Sequence, residues 1–442
     1  MTSTPTTPTS IAEPTPVDRK TLRRVTVAAS AGMFVEFFDY GIYGFFASTI
    51  ALIFFPSADP TTGLLLAFAV FGLTFFVRPV GGVVCGYMGD RIGRQRTLVF
   101  IMLLISVSTA LIGLLPSYAT LGIFAPILLL VLRLVQGFAT GGESAGAMSF
   151  VAEYAPQGER GKLVAFTQLS SYCSLLLATL IGTFLAQNLS ADALQSWGWR
   201  IPFLLALPLG LVGFYIRSKL EDSPKFEALR RSDSRSSNPL REVLASSRHR
   251  RAVLLAIAIP VLNGSGYYVL FTYMPTYLHS TLNFSVAAGL AVTSCALVVV
   301  IAAIPLAGML SDRIGRRPTM IGSAIAVAVI GLPCYWLMTR GSVGLAILGA
   351  AVLGLLFAGH TGVVHTVLVE LFPTRLRYTA YALGYNIGTA IFGGAAPLVI
   401  TYLLKVTADP SIPAYYVVIT GVVTAIAMWT TRETAHDPLE HD

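Results

Sequence analysis

The chain has 442 residues, 55% of them hydrophobic and only 12% charged, with a formal net charge of +8. This composition cannot supply the polar surface of a water-soluble protein, so it argues against a soluble enzyme and against a nucleic-acid-binding role for the positive charge. Apolar runs of about 20 residues recur along the chain, and this is the length of a helix that crosses a bilayer. The runs are continuous and do not alternate with polar residues, so they predict helices and not a β-barrel.

The predicted fold class is an all-α polytopic membrane protein, with twelve transmembrane helices in two pseudo-symmetric halves of six. Residues 1–19, rich in Thr, Ser and Pro, are expected to form a disordered tail. The halves are predicted over 20–217 and 252–431, joined by a polar linker at 218–251 and followed by a short tail at 432–442. The apolar runs lie at 26–55, 64–89, 97–116, 121–152, 162–187, 200–217, 252–278, 287–310, 318–338, 343–370, 379–404 and 413–431.

Lysine and arginine fall mainly in the loops on one side of these predicted helices. Positive residues are retained on the cytoplasmic side of a membrane, so the sequence predicts a bacterial inner-membrane protein with both termini in the cytoplasm. The basic cluster from Arg217 to Arg251 can also contact anionic lipid headgroups. The four cysteines lie in separate predicted helices without a Cys/His cluster, so neither a disulfide framework nor a metal site is expected.

Two sequence motifs occur twice, separated by about half the chain. The first has the order Gly-x-x-x-Asp-Arg-x-Gly-Arg and occupies 86–94 and 308–316. The second, Glu-x-x-Pro followed by Arg, occupies 153–160 and 370–377. Such a repeat is typical of transporters built from two related halves around a midplane site.

The repeated motifs predict a gate. Asp90 and Asp312 can accept hydrogen bonds from the N-terminus of a neighbouring helix, and the adjacent arginines can pair with Glu153 or Glu370 across helix ends. Such contacts would close one side of the protein in one conformation and break in the other; the alternative is that the arginines only set the topology. The predicted gating residues are Gly86, Asp90, Arg91, Arg94, Glu153, Arg160, Asp312, Arg313, Arg316, Glu370 and Arg377.

The first predicted helix carries two carboxylates near mid-membrane. Glu36, Asp39, Tyr40 and Tyr43 are spaced i, i+3, i+4 and i+7, which places them on one helical face. Burial disfavours the charged form of a carboxyl and a nearby arginine favours it, so a change in solvent access can load and release a proton. We predict proton coupling through Glu36 and Asp39; the alternative is a fixed salt bridge that holds helices together.

Three further charged side chains lie inside predicted helices. Arg133 can bind an anionic group of the substrate or neutralise a carboxylate of the first helix, and the sequence does not choose between these roles. Arg78 is a candidate both for the substrate site and for a structural or gating role. Glu143 follows two glycines that permit close helix approach, and it is added to the predicted proton-coupling residues.

Uncharged polar residues at similar depths complete the predicted site. His360 and His365 lie on one predicted helix about 140° apart, so both cannot point at one ligand, and His360 is favoured as the nearer to the midplane. The others include i,i+4 pairs that can line one helix face, although Tyr and Asn also join helices in membranes. The predicted substrate-binding residues are Tyr40, Tyr43, Arg78, Arg133, Gln168, Tyr172, Asn263, Tyr267, His360, Tyr385 and Asn386.

The repeated loop signature resembles that of the major facilitator superfamily, and further segments are similar to its metabolite:proton symporter family. The resemblance covers about residues 20–430, and it implies a twelve-helix transporter that imports organic acids, or zwitterions such as proline and betaine, together with protons. The segments that carry it are Glu36-Phe-Phe-Asp-Tyr-Gly-Ile-Tyr-Gly44, Arg78-Pro-Val-Gly-Gly82, Gln136-Gly-Phe-Ala-Thr-Gly-Gly-Glu143, Ala152-Glu-Tyr-Ala-Pro156, Trp197-Gly-Trp-Arg-Ile-Pro202 and Leu220-Glu-Asp-Ser-Pro224.

The expected function is proton-coupled import of a small organic acid, such as a di- or tricarboxylate, by alternating access. An organic acid is preferred because family members that sense osmolarity often carry a long C-terminal coiled coil, which is not found before Asp442. The first alternative is symport of a zwitterionic osmolyte such as proline or betaine, and the second is a drug:proton antiporter. A non-transporting receptor or a membrane enzyme is a different class, disfavoured because neither an output domain nor a catalytic constellation is evident. We expect a monomer that acts on a small molecule, is not an enzyme, has no nucleic-acid partner and uses the proton as coupling ion, with no other cofactor.

Overall fold

The computed structural model describes residues 18–57, 59–92, 94–218, 242 and 245–439. Within these ranges it has twelve helices long and apolar enough to cross a membrane, and no β-strand, so the predicted fold class is confirmed. The helices are α1 (Arg19–Phe45), α2 (Pro60–Cys85), α3 (Arg96–Leu114), α4 (Phe124–Tyr154), α5 (Arg160–Asn188), α6 (Arg200–Ser218), α7 (Ser247–Thr272), α8 (Val286–Ile314), α9 (Arg316–Met338), α10 (Val343–Glu370), α11 (Leu376–Thr407) and α12 (Ile412–Trp429).

Four of these described helices depart from regular α-helical geometry. Helix α4 is interrupted at Gly141-Gly142 and α10 at Gly362-Val363, while α7 and α11 contain π-helical turns at Gly266–Thr272 and Ala390–Gly394. An interruption leaves backbone N–H and C=O groups without their usual partners in the helix. Because a bilayer offers no water, other parts of the protein must form hydrogen bonds with these groups. Breaks and π-turns are frequent at functional sites.

Two helix starts differ from the predicted boundaries. Helix α1 begins at Arg19, inside the predicted tail, and α7 begins at Ser247, inside the predicted linker. Both helices extend beyond their apolar runs through basic residues, which suit the water-facing end of a membrane helix. The rest of the predicted tail, 1–17, and the linker segments 219–241 and 243–244 lie outside the described residues.

Helices of the two halves meet along two lines of contact. Helix α5 packs against α8, and α2 packs against α11, while the remaining large helix contacts lie inside one half or the other. Large apolar side chains such as Val212, Ile419 and Trp429 are more than half exposed on the outside of the bundle, where a membrane protein contacts lipid. The buried charged and polar side chains therefore lie inside the bundle, away from its lipid-facing surface.

The chain crosses the bundle an even number of times, so the start of α1 and the end of α12 lie at the same end. We call this end the terminal face; it also carries the turns at 155–159 and 371–373. The opposite end, the far face, carries the turns at 55–59 and 408–411.

Candidate functional site

Two carboxylates of α1 each lie beside a buried arginine. Glu36 Oε1 is 3.6 Å from Arg78 Nη2 without a hydrogen bond between them, and Asp39 Oδ2 accepts a hydrogen bond of 2.9 Å from Arg133 Nη1. All four side chains are at most 1% exposed. The i,i+3 spacing on α1 thus presents one acidic group to α2 and the next to α4, and the buried charges are paired.

The two carboxylates differ in how fully they are hydrogen-bonded. Asp39 accepts bonds from Arg133, from Gln136 Nε2 at 2.8 Å and from Thr109 Oγ1 at 3.0 Å. The hydrogen bond described for Glu36 comes from Ser144 Oγ, 3.2 Å from Oε2. Donors stabilise the charged form of a carboxyl, so Asp39 is held as an anion more firmly than Glu36.

Both arginines keep nitrogen atoms without a hydrogen-bond partner among the described residues. Arg78 Nε donates to Tyr40 Oη at 3.3 Å, but Nη2 is unbonded; Arg133 Nε and Nη2 are also unbonded. The guanidinium carbon of Arg78 lies 4.2 Å from the ring centre of Phe75, and that of Arg133 lies 4.1 Å from the ring centre of Tyr43. Aromatic faces stabilise these cations without using their donors, which stay available to an anionic group.

Six aromatic rings from both halves pack against one another, and two of them, Tyr40 and Phe75, lie against the Arg78 guanidinium; we call the six rings the aromatic cluster. Phe75 is 5.0 Å from Tyr268 and 5.2 Å from Tyr40, measured between ring centres, and Tyr267 is 5.0 Å from Phe37. The π-helical turn of α7 supplies the two rings of the second half. Aromatic π-faces are the usual binding surface for quaternary ammonium groups. The cluster consists of Phe37, Tyr40, Phe71, Phe75, Tyr267 and Tyr268.

Glu143, the third predicted proton-coupling residue, is engaged elsewhere. It forms a two-point ion pair with Arg217 at the end of α6: Arg217 Nη1 donates to Oε2 at 2.9 Å and Nη2 donates to Oε1. Arg217 Nε also donates to the carbonyl of Ala28 at 3.2 Å. Arg217 was missing from the predicted site because its sequence signal, a basic residue at the end of an apolar run, is shared with every topology-setting arginine.

Several predicted residues form hydrogen bonds between the two halves. The hydroxyls of Tyr172 and Thr361 are 2.9 Å apart, and Gln168 Nε2 donates to Thr361 Oγ1 at 3.5 Å. Tyr267 Oη donates to the carbonyl of Ser171 at 3.2 Å. Thr361 lies at the break in α10 and was not predicted, because a threonine in an apolar run gives no sequence signal of its own.

Both histidines of α10 are fully buried. Neither ring nitrogen of His360 has a hydrogen-bond partner among the described residues, whereas His365 Nδ1 is 2.5 Å from Tyr381 Oη. The ring of His365 is 5.1 Å from that of Tyr385. The predicted separation of about 140° assumed a continuous helix. That assumption is wrong, because α10 is broken between the two residues.

Three other predicted substrate residues contact backbone or lie buried in α7. Tyr43 Oη donates to the carbonyl of Ala67 at 2.9 Å, and Asn386 Nδ2 donates to the carbonyl of Gly141 at 2.7 Å. Asn263 is buried in α7, ahead of its π-helical turn. In this conformation Tyr43 and Asn386 therefore join helices.

Six of the eleven predicted gating residues meet at the terminal face: Glu153, Arg160, Asp312, Arg316, Glu370 and Arg377. Asp312 accepts hydrogen bonds from the backbone amides of Gly161 and Lys162 at the start of α5, at 2.9 and 2.8 Å. Arg316 Nη1 donates to Asp312 Oδ1 at 2.7 Å and so fixes the same carboxylate. A negative group is favoured at a helix N-terminus, and this one joins the second half to the first.

Two ion pairs extend this contact. Arg160 of the first half pairs with Glu370 of the second at 2.6 Å, and Arg377 of the second pairs with Glu153 of the first at 3.0 Å. We call these ion pairs and the Asp312 contact the latch. Arg313 is exposed. Four predicted gating residues have side chains outside the described residues: Gly86, Asp90, Arg91 and Arg94.

An ion pair also joins the halves at the far face. Lys405 Nζ of α11 lies 2.5 Å from Asp59 Oδ2, just before α2. The hydrogen bonds from Lys405 and Thr62 lower the pKa of Asp59 to about 2. The described halves therefore touch at both ends of the bundle, with the aromatic cluster and the two arginines enclosed between.

Comparisons with known proteins agree with this architecture. A family model described as Major Facilitator Superfamily matches residues 29–397 and 286–441. The proline/betaine transporter of Salmonella typhimurium strain LT2 is 37% identical over 440 residues, covering 98% of this chain and 88% of that protein. The glycine betaine/proline/ectoine/pipecolic acid transporter OusA of Dickeya dadantii is 36% identical, with the same coverage.

Among solved structures, the proton:xylose symporter XylE bound to 6-bromo-6-deoxy-D-glucose matches with a TM-score of 0.79. The match covers 96% of this chain and 99% of that one at 20% identity. It supports the fold.

Proposed function

The chain belongs to the Major Facilitator Superfamily, and on that premise we propose that it imports a zwitterionic osmolyte of the proline or betaine type together with protons. Import proceeds by alternating access across a bacterial cytoplasmic membrane. The relatives named as proline/betaine transporters support this alternative, and not the organic acid that the sequence analysis preferred. The terminal face is placed in the cytoplasm because its loops carry most of the lysines and arginines.

The observation that carries the proposal is the charge balance of the central site inside an aromatic cluster. Glu36 is beside Arg78 and Asp39 is bonded to Arg133, so among the described residues the two carboxylates and two arginines of this site cancel. A di- or tricarboxylate would add two or three negative charges where every cation already has a counter-charge. A zwitterion adds no net charge to the site.

The two ends of a zwitterion suit two parts of the site. The unbonded Nη2 of Arg78 can donate to the substrate carboxylate, while the rings of the aromatic cluster can surround its ammonium group. Both parts lie within a few ångströms of each other, because Phe75 contacts Arg78 on one side and Tyr268 on the other. The site therefore fits a small molecule whose opposite charges are close together.

Glu36 carries the coupling proton in this proposal. Asp39 is held by three donors that favour its anionic form, whereas Glu36 has the Ser144 hydroxyl and, 3.6 Å away, an Arg78 that does not hydrogen-bond to it. Protonation of Glu36 removes the counter-charge of Arg78 and leaves that guanidinium to the substrate carboxylate. Loss of the proton to the cytoplasm restores the competing carboxylate, which displaces the substrate.

Uptake into proteoliposomes tests the proposal. The labelled substrates are glycine betaine, proline, ectoine, citrate, succinate and 2-oxoglutarate, each with and without an inward proton gradient. We expect gradient-stimulated uptake of the zwitterions. Arg78→Lys, which keeps the charge but loses the planar donor pair, is expected to weaken their uptake. Arg340→Lys, at an exposed position in the turn after α9, serves as the matched control.

An organic-acid importer is the second candidate function. The observation in its favour is that Arg133 Nε and Nη2 have no hydrogen-bond partner among the described residues, so this arginine can also receive an anion. Gradient-stimulated uptake of the acids, with the zwitterions ignored, would overturn the proposal in favour of this candidate.

A further inference from the structure

At the break in α4 the carbonyl of Gly141 has no described backbone donor and that of Gly142 accepts the amide of Gly146 at a long 3.3 Å, and α11 of the other half donates to both carbonyls. Tyr378 Oη donates to the carbonyl of Gly142 at 2.7 Å, and Asn386 Nδ2 donates to the carbonyl of Gly141 at 2.7 Å. A carbonyl freed by a helix break costs free energy unless it is bonded, particularly away from water. We call these two bonds the clasp.

The glycines of α4 let α11 come this close. A Cβ atom added at Gly142 would lie 2.7 Å from Tyr378 Oη, and one added at Gly146 would lie 2.8 Å from Tyr378 Cε2. Both distances are far below van der Waals contact, so any larger residue would push the tyrosine away. The clasp thus depends on glycine at these two positions.

The same break in α4 lies against both Glu36 and Arg78, the two charged residues of the proposed proton site. Ser144, two residues beyond Gly142, donates to Glu36 Oε2 at 3.2 Å. On the other side, a Cβ atom at Gly141 would collide with the carbonyl of Arg78 and lie 2.6 Å from the amide of Gly82. A shift of the break would therefore change the surroundings of Glu36 and of Arg78 together.

We propose that Tyr378 and Asn386 are positioning residues that couple the contact between the halves to the proton held by Glu36. This inference rests on the proposed proton symport. Tyr378 directly follows Arg377, which forms a latch ion pair with Glu153, so the clasp must break when the terminal face opens. Opening then removes both α11 donors from the break, and the Ser144 hydroxyl is no longer held against Glu36.

The coupling is tested with Tyr378→Phe, which removes the donor and keeps the ring, and with Gly146→Ala, which displaces the ring and keeps the donor. Tyr416→Phe is the matched control, because Tyr416 Oη donates to the carbonyl of Phe392 at 3.0 Å within the second half. Each protein is reconstituted for three measurements with glycine betaine: counterflow without a proton gradient, accumulation with a gradient, and the pH of half-maximal uptake.

We expect Tyr378→Phe and Gly146→Ala to retain counterflow while the ratio of gradient-driven accumulation to counterflow falls about two- to tenfold, the effect of losing one hydrogen bond. Without the Ser144 donor Glu36 keeps its proton to higher pH, so the midpoint should move by about 0.5 to 1 unit toward alkaline pH. Asn386→Ala should move the midpoint in the same direction. Tyr416→Phe should change neither quantity.

Two results would overturn the inference. One is a normal ratio and midpoint in the Tyr378, Gly146 and Asn386 variants; the other is an equal loss of counterflow and accumulation with an unmoved midpoint, which indicates a purely structural contact. If the unmodified protein shows no gradient-driven uptake, the proposed function itself fails. Gradient-driven uptake by the unmodified protein, with unaltered coupling in the variants, removes only the role of the clasp.

Discussion

Replacing Glu36 by glutamine should separate proton coupling from substrate binding. Glutamine keeps the volume of the side chain and its ability to bond Ser144, but it cannot carry the coupling proton. Arg78, whose Nη2 is 3.6 Å from Glu36, then lacks a nearby anionic partner until a substrate carboxylate arrives. We expect Glu36→Gln to exchange glycine betaine in counterflow and to lose accumulation driven by a proton gradient.

The size of the effect follows from the geometry of the Arg78 and Glu36 pair. The two groups are buried but lack a hydrogen bond, so the attraction that the substrate must displace is about 1 to 3 kcal/mol, the weak end for buried charges. At about 1.4 kcal/mol per factor of ten, the apparent affinity of the unmodified protein should weaken about five- to 140-fold as Glu36 loses its proton. In Glu36→Gln the affinity should not vary with pH.

The assay is the concentration dependence of glycine betaine counterflow at a series of pH values, followed by gradient-driven accumulation in the same vesicles. Glu36→Asp keeps a titratable group and should retain some coupling. Glu143→Gln breaks the buried ion pair with Arg217, and both of these charges act on Glu36, so it should lower thermal stability and shift the pH dependence without abolishing it. Gradient-driven accumulation by Glu36→Gln, or an affinity that still varies with pH, would refute the role of Glu36.

Three further changes test other parts of the structure. Phe75→Leu removes a ring of the aromatic cluster at nearly constant volume, so the KM for glycine betaine should rise about two- to thirtyfold and that for proline less; equal changes would contradict the ammonium cage. Lys405→Ala breaks an ion pair with Asp59 that is exposed and therefore weak. The rate at which a thiol reagent labels a cysteine introduced at the far face should rise less than about fivefold, and the melting temperature should not change. Burial raises the pKa of the Glu433 carboxyl, but hydrogen bonds from backbone amides, including that of Arg316, outweigh burial and leave this pKa lowered. The charged carboxyl therefore stabilises the fold at neutral pH, and this stabilisation is lost as the pH falls through the lowered pKa. The difference in melting temperature between the unmodified protein and Glu433→Gln should therefore shrink in acid.

The apolar runs, the helical spacing of charged residues and the repeated motif predicted those features of the structure that depend on local sequence. The apolar runs predicted all twelve helices, because their length matches a bilayer wherever they occur. The i,i+3 spacing of Glu36 and Asp39 predicted a shared face, and in the structure both side chains do point into the first half. The repeat around Asp312 predicted a contact with a helix N-terminus, and the carboxylate lies at the start of α5.

The partners of these residues could not be predicted, because they depend on helix rotation and on breaks that sequence patterns leave undetermined. Arg217 closes the ion pair of Glu143 from 74 positions away, and Tyr378 reaches Gly142 from the other half. Phe71 and Phe75 have the apolar pattern of ordinary core residues, so only their packing against Tyr268 shows that they belong to the aromatic cluster. The preference for an organic acid had a different cause, since it rested on the coiled coil that some family members carry and not on the side chains of the site.

The charge balance of the central site predicts how much net charge crosses the membrane with each substrate molecule. The charges of Glu36, Asp39, Arg78 and Arg133 cancel, so a zwitterion transported with one proton moves one net positive charge, whereas a monocarboxylate with one proton moves none. An inside-negative membrane potential should therefore drive the zwitterion inward even without a pH gradient. One elementary charge gains about 2.3 kcal/mol per 100 mV, which corresponds to about fiftyfold accumulation. A potassium diffusion potential imposed with valinomycin on vesicles at equal pH measures this effect for glycine betaine. Glycine betaine accumulation that follows the pH gradient and ignores the potential would mean an electroneutral cycle and would refute this count of the transported charge.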